Sequence, residues 1–318
     1  MISVLAKVLE KFTIEIIPNL PIFVRTPLYL NILKLRKVKD RLRFVATNKN
    51  PSFEERLDYA LDSRANLNNS GEKLHDFNSN VVLEEIKEGP VKIYKFIPPN
   101  SSKEKYGIYF HGGGYFAGSI TSHKNLISQI SNDSNLIIYF FEYRLSPEYN
   151  FPSAHEDAKL AVDFINTLHP DHQSIWIGES AGGGLATGLV VDKEYLEKPD
   201  NLILLSPWLD LSDGFEDKKF FKNSDVTIII EGMFEVGGFY AGDYGAKNPI
   251  LSPVYADVDN FPDVLIQVCT EELLYNDAVE FVKKLEDKNV NVELQTWDGL
   301  WHASVSYTHL TLPTTHGG

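Results

Sequence analysis

The 318-residue chain holds one cysteine, Cys269. A framework of internal disulfides is therefore excluded, and a reducing compartment fits. No apolar run reaches the length of a membrane span. The opening stretch MISVLAKVLEKFTIEIIPNLPIFVR has Glu10, Glu15 and Pro18 where a signal peptide needs unbroken apolar residues. Basic charge is short: 30 Lys and Arg face 44 Asp and Glu, for a net charge of −14. That balance argues against nucleic acid as a partner of the body of the protein. No cluster has metal-ligand spacing, so neither a metal nor a cofactor is expected. Internal repeats and low-complexity tracts are missing as well. These absences point to a soluble, cytoplasmic protein.

What is present is apolar residues, 43% of the chain, enough for a large core. The charge is uneven. Residues 1–50 hold ten Lys and Arg against three Asp and Glu, densest in KLRKVKDRLR at 34–43. The plain reading is a solvated helix face. A sharper one is peripheral contact with an anionic membrane surface, helped by Ile16, Ile17, Phe23 and Leu28.

Residues 1–70 read as helix and loop. Apolar spacing predicts a helix over 54–67 with Ser52 as its N-cap, and NNSGEK at 68–73 reads as a loop. VVLEEI and VKIYKFI then read as an antiparallel pair. Beyond them short apolar runs alternate with helix-length segments. The runs are YGIYF (106–110), LIIYFF (136–141), SIWIG (174–178), NLILL (201–205), DVLIQV (263–268) and VELQTW (292–297). Helices are expected near 121–132, 154–168, 181–192 and 275–288. Such alternation predicts a mostly parallel, doubly wound sheet. Residues 206–250 interrupt it with a glycine- and aromatic-rich insert, read as a packed excursion able to cover a pocket.

Two motifs carry chemistry. In SIWIGESAGGGLATGLV a strand runs into Gly178-Glu179-Ser180-Ala181-Gly182, and a helical pattern follows. This spacing sets a serine at the tip of a sharp strand-to-helix turn, with the helix N-terminus aimed at it. An idle serine in a tight glycine turn is the structural alternative. The second motif, YFHGGGYFAGS at 109–119, directly follows a strand. Consecutive glycines let backbone N–H groups face a substrate oxyanion. No Lys-Ser/Thr follows in phosphate-loop spacing. His111 reads as a structural residue that holds the loop.

Together the two motifs resemble the hormone-sensitive-lipase-like family of α/β-hydrolases, in its bacterial esterase branch. YRLSPEYNFPSAHEDA (143–158), LLSPWLDLS (204–212), SPVYADVDNFPDVLIQV (252–268) and WDGLWH (297–302) add to the resemblance, which spans about residues 80–304. It implies an α/β-hydrolase fold: a mostly parallel eight-stranded sheet, helices on both faces and a helical cap. The cap would comprise residues 1–70 and an insert at about 213–247, around a catalytic domain over 71–304. It also implies Ser180 as nucleophile, with the N–H groups of Gly113, Gly114 and Ala181 as the oxyanion hole. The family usually shows Asp-Pro-Leu-x-Asp before the catalytic histidine. Aligned on CTEELLYNDA (269–278), Glu272 takes the acid's place, with Glu271 and Asp277 as competitors. Cys269, where the family has glycine, reads as a small buried strand residue.

His302 in WDGLWH directly follows the last strand. It completes the chain order Ser, acid, His of this fold and is the expected base. His123 and His155 read as satisfied polar positions, and Arg144 as a loop anchor through carboxylates such as Glu148. VSYTHLTLPT at 305–314 looks like the conceptual translation of a transposase adapter used in sequencing libraries. Residues 305–318 are accordingly expected to be a non-native tail in place of an amphipathic terminal helix, which leaves His309 and His316 without a role.

The expected activity is hydrolysis of short- or medium-chain carboxylic esters, with a small-molecule ester as the expected substrate. A lactone hydrolase or deacetylase on the same machinery is the near alternative. A non-catalytic small-molecule receptor is the distant one.

Overall fold

The computed structural model describes residues 51–304, apart from 75, 88, 213–224, 226, 229 and 299. The expectations for the basic segment 1–50 and for the tail 305–318 lie outside the described residues.

Helix α1 (Phe53–Leu74) precedes an eight-stranded sheet. Its strands are β1 (Val82–Ile86), β2 (Lys92–Ile97), β3 (Lys105–Phe110), β4 (Ile137–Glu142), β5 (Gln173–Glu179), β6 (Asn201–Leu205), β7 (Asp263–Cys269) and β8 (Val292–Trp297). The order across the sheet is β1-β2-β4-β3-β5-β6-β7-β8. β2 pairs antiparallel with β1 and β4, and every later pairing is parallel. The intervening helices are α2 (Ile120–Ser134), α3 (Ser153–Thr167), α4 (Ala181–Val191), α5 (Ile230–Ala241) and α6 (Tyr275–Asp287).

The parallel strands read as unbroken apolar runs because both faces are covered. Tyr109, Phe140 and Ile177 face one side with Ile127 of α2. Ile108, Phe141, Trp176 and Leu204 face the other with Val162 of α3, Leu185 of α4 and Phe281 of α6. All of these are buried.

Ser52 caps α1 as its sequence suggests. Its Oγ accepts from Glu55 N at 3.2 Å, and Glu55 Oε2 accepts from Ser52 N at 2.7 Å, a reciprocal capping box. NNSGEK is not a loop, however. α1 continues through it to Leu74. Its local composition favours a turn, but docking on α2 overrides that preference. Ser119 Oγ donates to Asn68 Oδ1 at 2.6 Å, and Asn125 Nδ2 donates to the Gly71 and Glu72 carbonyls at 3.3 and 3.4 Å.

Arg144 also differs from expectation. Its guanidinium donates to Asp157 and Glu156 of α3. Glu148 instead takes a bidentate pair from Arg64 of α1, both contacts at 2.7 Å. Arg64 further donates to the carbonyls of Phe116 at 2.8 Å and Ser146 at 2.9 Å. The insert supplies α5, whose Tyr240 stacks on Tyr115 with ring centroids 4.1 Å apart. Arg56 of α1 sits over the Phe239 ring and pairs with Glu235, joining α1 to α5.

Because β3, β5, β6, β7 and β8 run parallel, the segments after their C-terminal ends gather at one edge of the sheet. Those segments begin His111-Gly112-Gly113-Gly114, Ser180, Ser206, Thr270 and Asp298. No described helix is long and apolar enough to cross a membrane.

Candidate active site

Ser180 stands between β5 and α4 at φ 52° and ψ −118°, a conformation sparsely populated for any side chain. Backbone bonds hold it there, among them one from Gly184 N to Ser180 O at 3.2 Å. Ser180 N donates to Leu205 O at 2.9 Å, and Ser180 O accepts from Gly183 N and Trp208 N, both at 2.9 Å. The flanking glycines permit the turn by close approach. A Cβ on Gly182 would lie 2.0 Å from Phe110 O at the end of β3, and one on Gly178 would lie 2.7 Å from Gly182 O. The hydroxyl that results is half-buried at the N-terminus of α4.

His302 Nε2 lies 2.9 Å from Ser180 Oγ, and its Nδ1 lies 2.5 Å from Glu272 Oε2. Nδ1–H donates to the carboxylate, which leaves Nε2 free to accept the serine proton. Glu272 is fully buried, and its other oxygen accepts from Cys269 N at 2.7 Å and Ser206 Oγ at 2.8 Å. Burial pushes the His302 pKa down, but the Glu272 bond and charge, with Asp225 and Glu179 behind them, outweigh it. The net shift is upward from the ordinary 6.5.

The competing acids are elsewhere. Glu271 Oε2 accepts from Thr270 Oγ1 at 3.3 Å, and Asp277 Oδ2 accepts from Asp210 N at 3.1 Å.

Ser206 lies in LLSPW, where little in the sequence marks it out. Its hydroxyl donates to Glu272 and accepts from Ala303 N at 3.2 Å, so one side chain ties β6 to the acid and to the histidine's loop. Its positive φ of 48° would not show in sequence. The only available signal was its place directly after a buried strand.

On the glycine loop, Gly113 and Gly114 have φ of 114° and 63°. The Gly113 carbonyl accepts from Phe116 N at 3.1 Å and Ala117 N at 2.9 Å, closing a turn. Among the described residues the N–H groups of Gly113, Gly114 and Ala181 have no backbone acceptor outside regular structure. His111 is buried, its Nδ1 donates to Gly112 O at 2.8 Å, and its ring stacks 4.0 Å from Tyr143. Burial, with His123 nearby, drops its pKa to about 3, so it stays neutral.

His123 is buried on Glu179, with Nε2 and Oε2 3.4 Å apart, and Tyr109 donates to the same oxygen at 2.7 Å. These bonds overcome the burial of Glu179 and hold its pKa low. His155 is buried too, but neither ring nitrogen makes a hydrogen bond of good geometry. Burial holds it neutral, with a pKa of about 3. The Cys269 thiol lies 3.2 Å from Ser304 Oγ, and burial raises its pKa to about 12, which suits the inert role expected of it. No group of three or more His, Cys, Asp or Glu among the described residues is placed to hold a metal ion.

The chain belongs to the alpha/beta hydrolase fold family, whose model matches residues 107–306. Among curated proteins it is similar to an esterase of Acinetobacter venetianus, 28% identical over 65% of this chain and 69% of that protein. It is also similar to an ethyl acetate hydrolase of Pseudomonas putida, 27% identical over 67% of this chain and 70% of that one. Among solved structures, a hormone-sensitive lipase from a metagenome library superposes with a TM-score of 0.76 at 29% identity, covering 88% of this chain and 90% of that one. An esterase of the bacterial hormone-sensitive lipase family gives 0.73 at 26%, covering 88% and 92%. The resemblance carried by the two glycine motifs therefore holds.

Proposed function

We propose that this α/β-hydrolase is a carboxylesterase that cleaves short- to medium-chain acyl esters through Ser180, His302 and Glu272. The observation that carries this reading is the continuous chain Ser180 Oγ, His302 Nε2, His302 Nδ1, Glu272 Oε2, with links of 2.9 and 2.5 Å. Relatives named esterase, acetyl-hydrolase and ethyl acetate hydrolase support the reaction class.

Ser180 Oγ attacks the ester carbonyl as its proton passes to His302 Nε2. Glu272 holds the imidazole in the required tautomer and stabilises its charged form. The N–H groups of Gly113, Gly114 and Ala181 steady the oxyanion, and each such donor is worth about 10²–10³ in rate. The tetrahedral adduct collapses as His302 protonates the leaving alcohol. Water then attacks the acyl-serine with the same base, and the acid departs. The described parts of 1–70 and of the insert, α1 and α5, meet over Phe239 and serve as the cap.

A fluorophosphonate probe tests the reading against a non-catalytic receptor. We expect covalent labelling of Ser180, slowed while excess p-nitrophenyl butyrate is present and absent in S180A. An unlabelled protein that binds esters without turnover would reverse the conclusion. A panel of lactones beside open esters measures the preference within the class.

The pH profile has a defined sign. The base works only when His302 is neutral, and its pKa is raised from 6.5. Activity should therefore fall as pH drops through an acid limb centred above 6.5. The linked stability runs the other way. The His302–Glu272 contribution is full below the unfolded histidine pKa and is lost as pH rises through the folded one. Plots of kcat/KM and melting temperature against pH check both slopes.

A further inference from the structure

The insert after β6 meets the acid-bearing loop at one buried carboxylate. Asp225 is 2% exposed. Its Oδ2 accepts the N–H of Leu273 at 2.9 Å, the residue directly after Glu272. Its Oδ1 accepts from Thr227 N at 2.8 Å, Thr227 Oγ1 at 2.9 Å and Ile228 N at 2.9 Å. Donors from Leu273, Thr227 and Ile228 converge on it, as a carboxylate withdrawn from water requires. One oxygen closes a turn within the insert. The other reaches across 48 positions of sequence to the loop after β7. A turn alone would need only the first.

We infer that Asp225 is a positioning residue for the hydrolysis, fixing the insert to the loop that carries Glu272. This rests on the reading of Ser180, His302 and Glu272 as the catalytic triad. Glu272 itself hangs from Cys269 N and Ser206 Oγ on one side of its loop. Asp225 pins the Leu273 side. The acid is thus held from both flanks, and the second anchor belongs to the insert.

The charged groups that bear on His302 are Glu272, Asp225 and Glu179, and all three favour the imidazolium. The nearby Cys269 thiol is neutral, with a pKa of about 12. Asp225→Asn removes one of the three charges. It also sets an amide donor against the Leu273 N–H or turns that donor on the Thr227 and Ile228 donors.

The experiment compares wild type, D225N, D225E and S180A on one p-nitrophenyl ester across pH, with melting curves. In D225N we expect kcat to fall about tenfold, the worth of one hydrogen bond, and the acid limb to move to lower pH. D225E keeps the charge but moves its oxygens from the Leu273 N–H. Its acid limb should stay with wild type while kcat falls. A D225N enzyme with wild-type kcat and acid limb overturns the inference. If D225N does not fold, D225E decides, and wild-type kcat there overturns it equally. Wild-type behaviour of both Asp225 variants beside an inactive S180A rejects this inference alone. Turnover in S180A rejects the triad on which it depends.

Discussion

Ser180→Ala should lower kcat for a p-nitrophenyl ester by about 10⁴–10⁶-fold while leaving the fold intact. The loss is large because no other described hydroxyl bonds His302 Nε2. The fold should survive because the bonds that shape the turn are backbone bonds: Ser180 N to Leu205 O, and Gly183 N and Trp208 N to Ser180 O. Alanine meets the same steric conflict at φ 52° as serine does. Ser180→Gly removes the Cβ that makes this conformation costly. It should be equally inactive yet more stable than S180A by about 1 kcal/mol. Denaturant titration of the two variants measures the difference directly. Equal stabilities would mean that the turn stores no strain.

Glu272→Gln should cost about 10³–10⁴ in kcat, nearly as much as removing the base. The reason lies in how the carboxylate is used. Oε2 accepts from His302 Nδ1, and Oε1 accepts from Cys269 N and Ser206 Oγ. All three partners are donors toward an acceptor-only group. A glutamine must turn its amide either toward the imidazole or toward Cys269 N. The first choice forces the wrong tautomer, with Nε2 protonated and unable to take the serine proton. The second sets donor against donor at a fully buried site, at a cost of about 1–3 kcal/mol. Reduced melting temperature with partial activity would indicate the second arrangement, and a normal melt with lost activity the first. Glu271→Gln, outside this chain of bonds, should keep near wild-type kcat.

The part of this site that sequence exposes is the part dictated by backbone geometry. Glycine at 178 and 182 is demanded by the approach of β5, α4 and β3, and such demands leave a local pattern. His302 is expected from its place directly after the last strand, and Glu272 from the motif alignment that the family resemblance supplies. Contacts across space left little trace. NNSGEK looks like a turn by composition, yet α2 offers Asn125 and Ser119 to it and it stays helical. Arg144 and Glu148 share a motif but take different partners, since Arg64 lies 84 positions from the glutamate it grips. Ser206 bonds the two loops that carry Glu272 and His302, Asp225 bonds Leu273, and neither sits in a periodic or glycine-rich context. A side chain's reach of a few ångströms is written in the fold, not in its neighbours along the chain.

The Arg64 guanidinium gathers the Phe116 carbonyl, the Ser146 carbonyl and the Glu148 carboxylate onto α1. Phe116 belongs to the glycine loop, so the loop's rigidity is borrowed from a helix that adds no strand to the sheet. Warming that detaches α1 would slacken the amide cradle while β3 to β8 remain assembled. Inactivation by heat would then come before melting, and on cooling the sheet would re-form before activity returns.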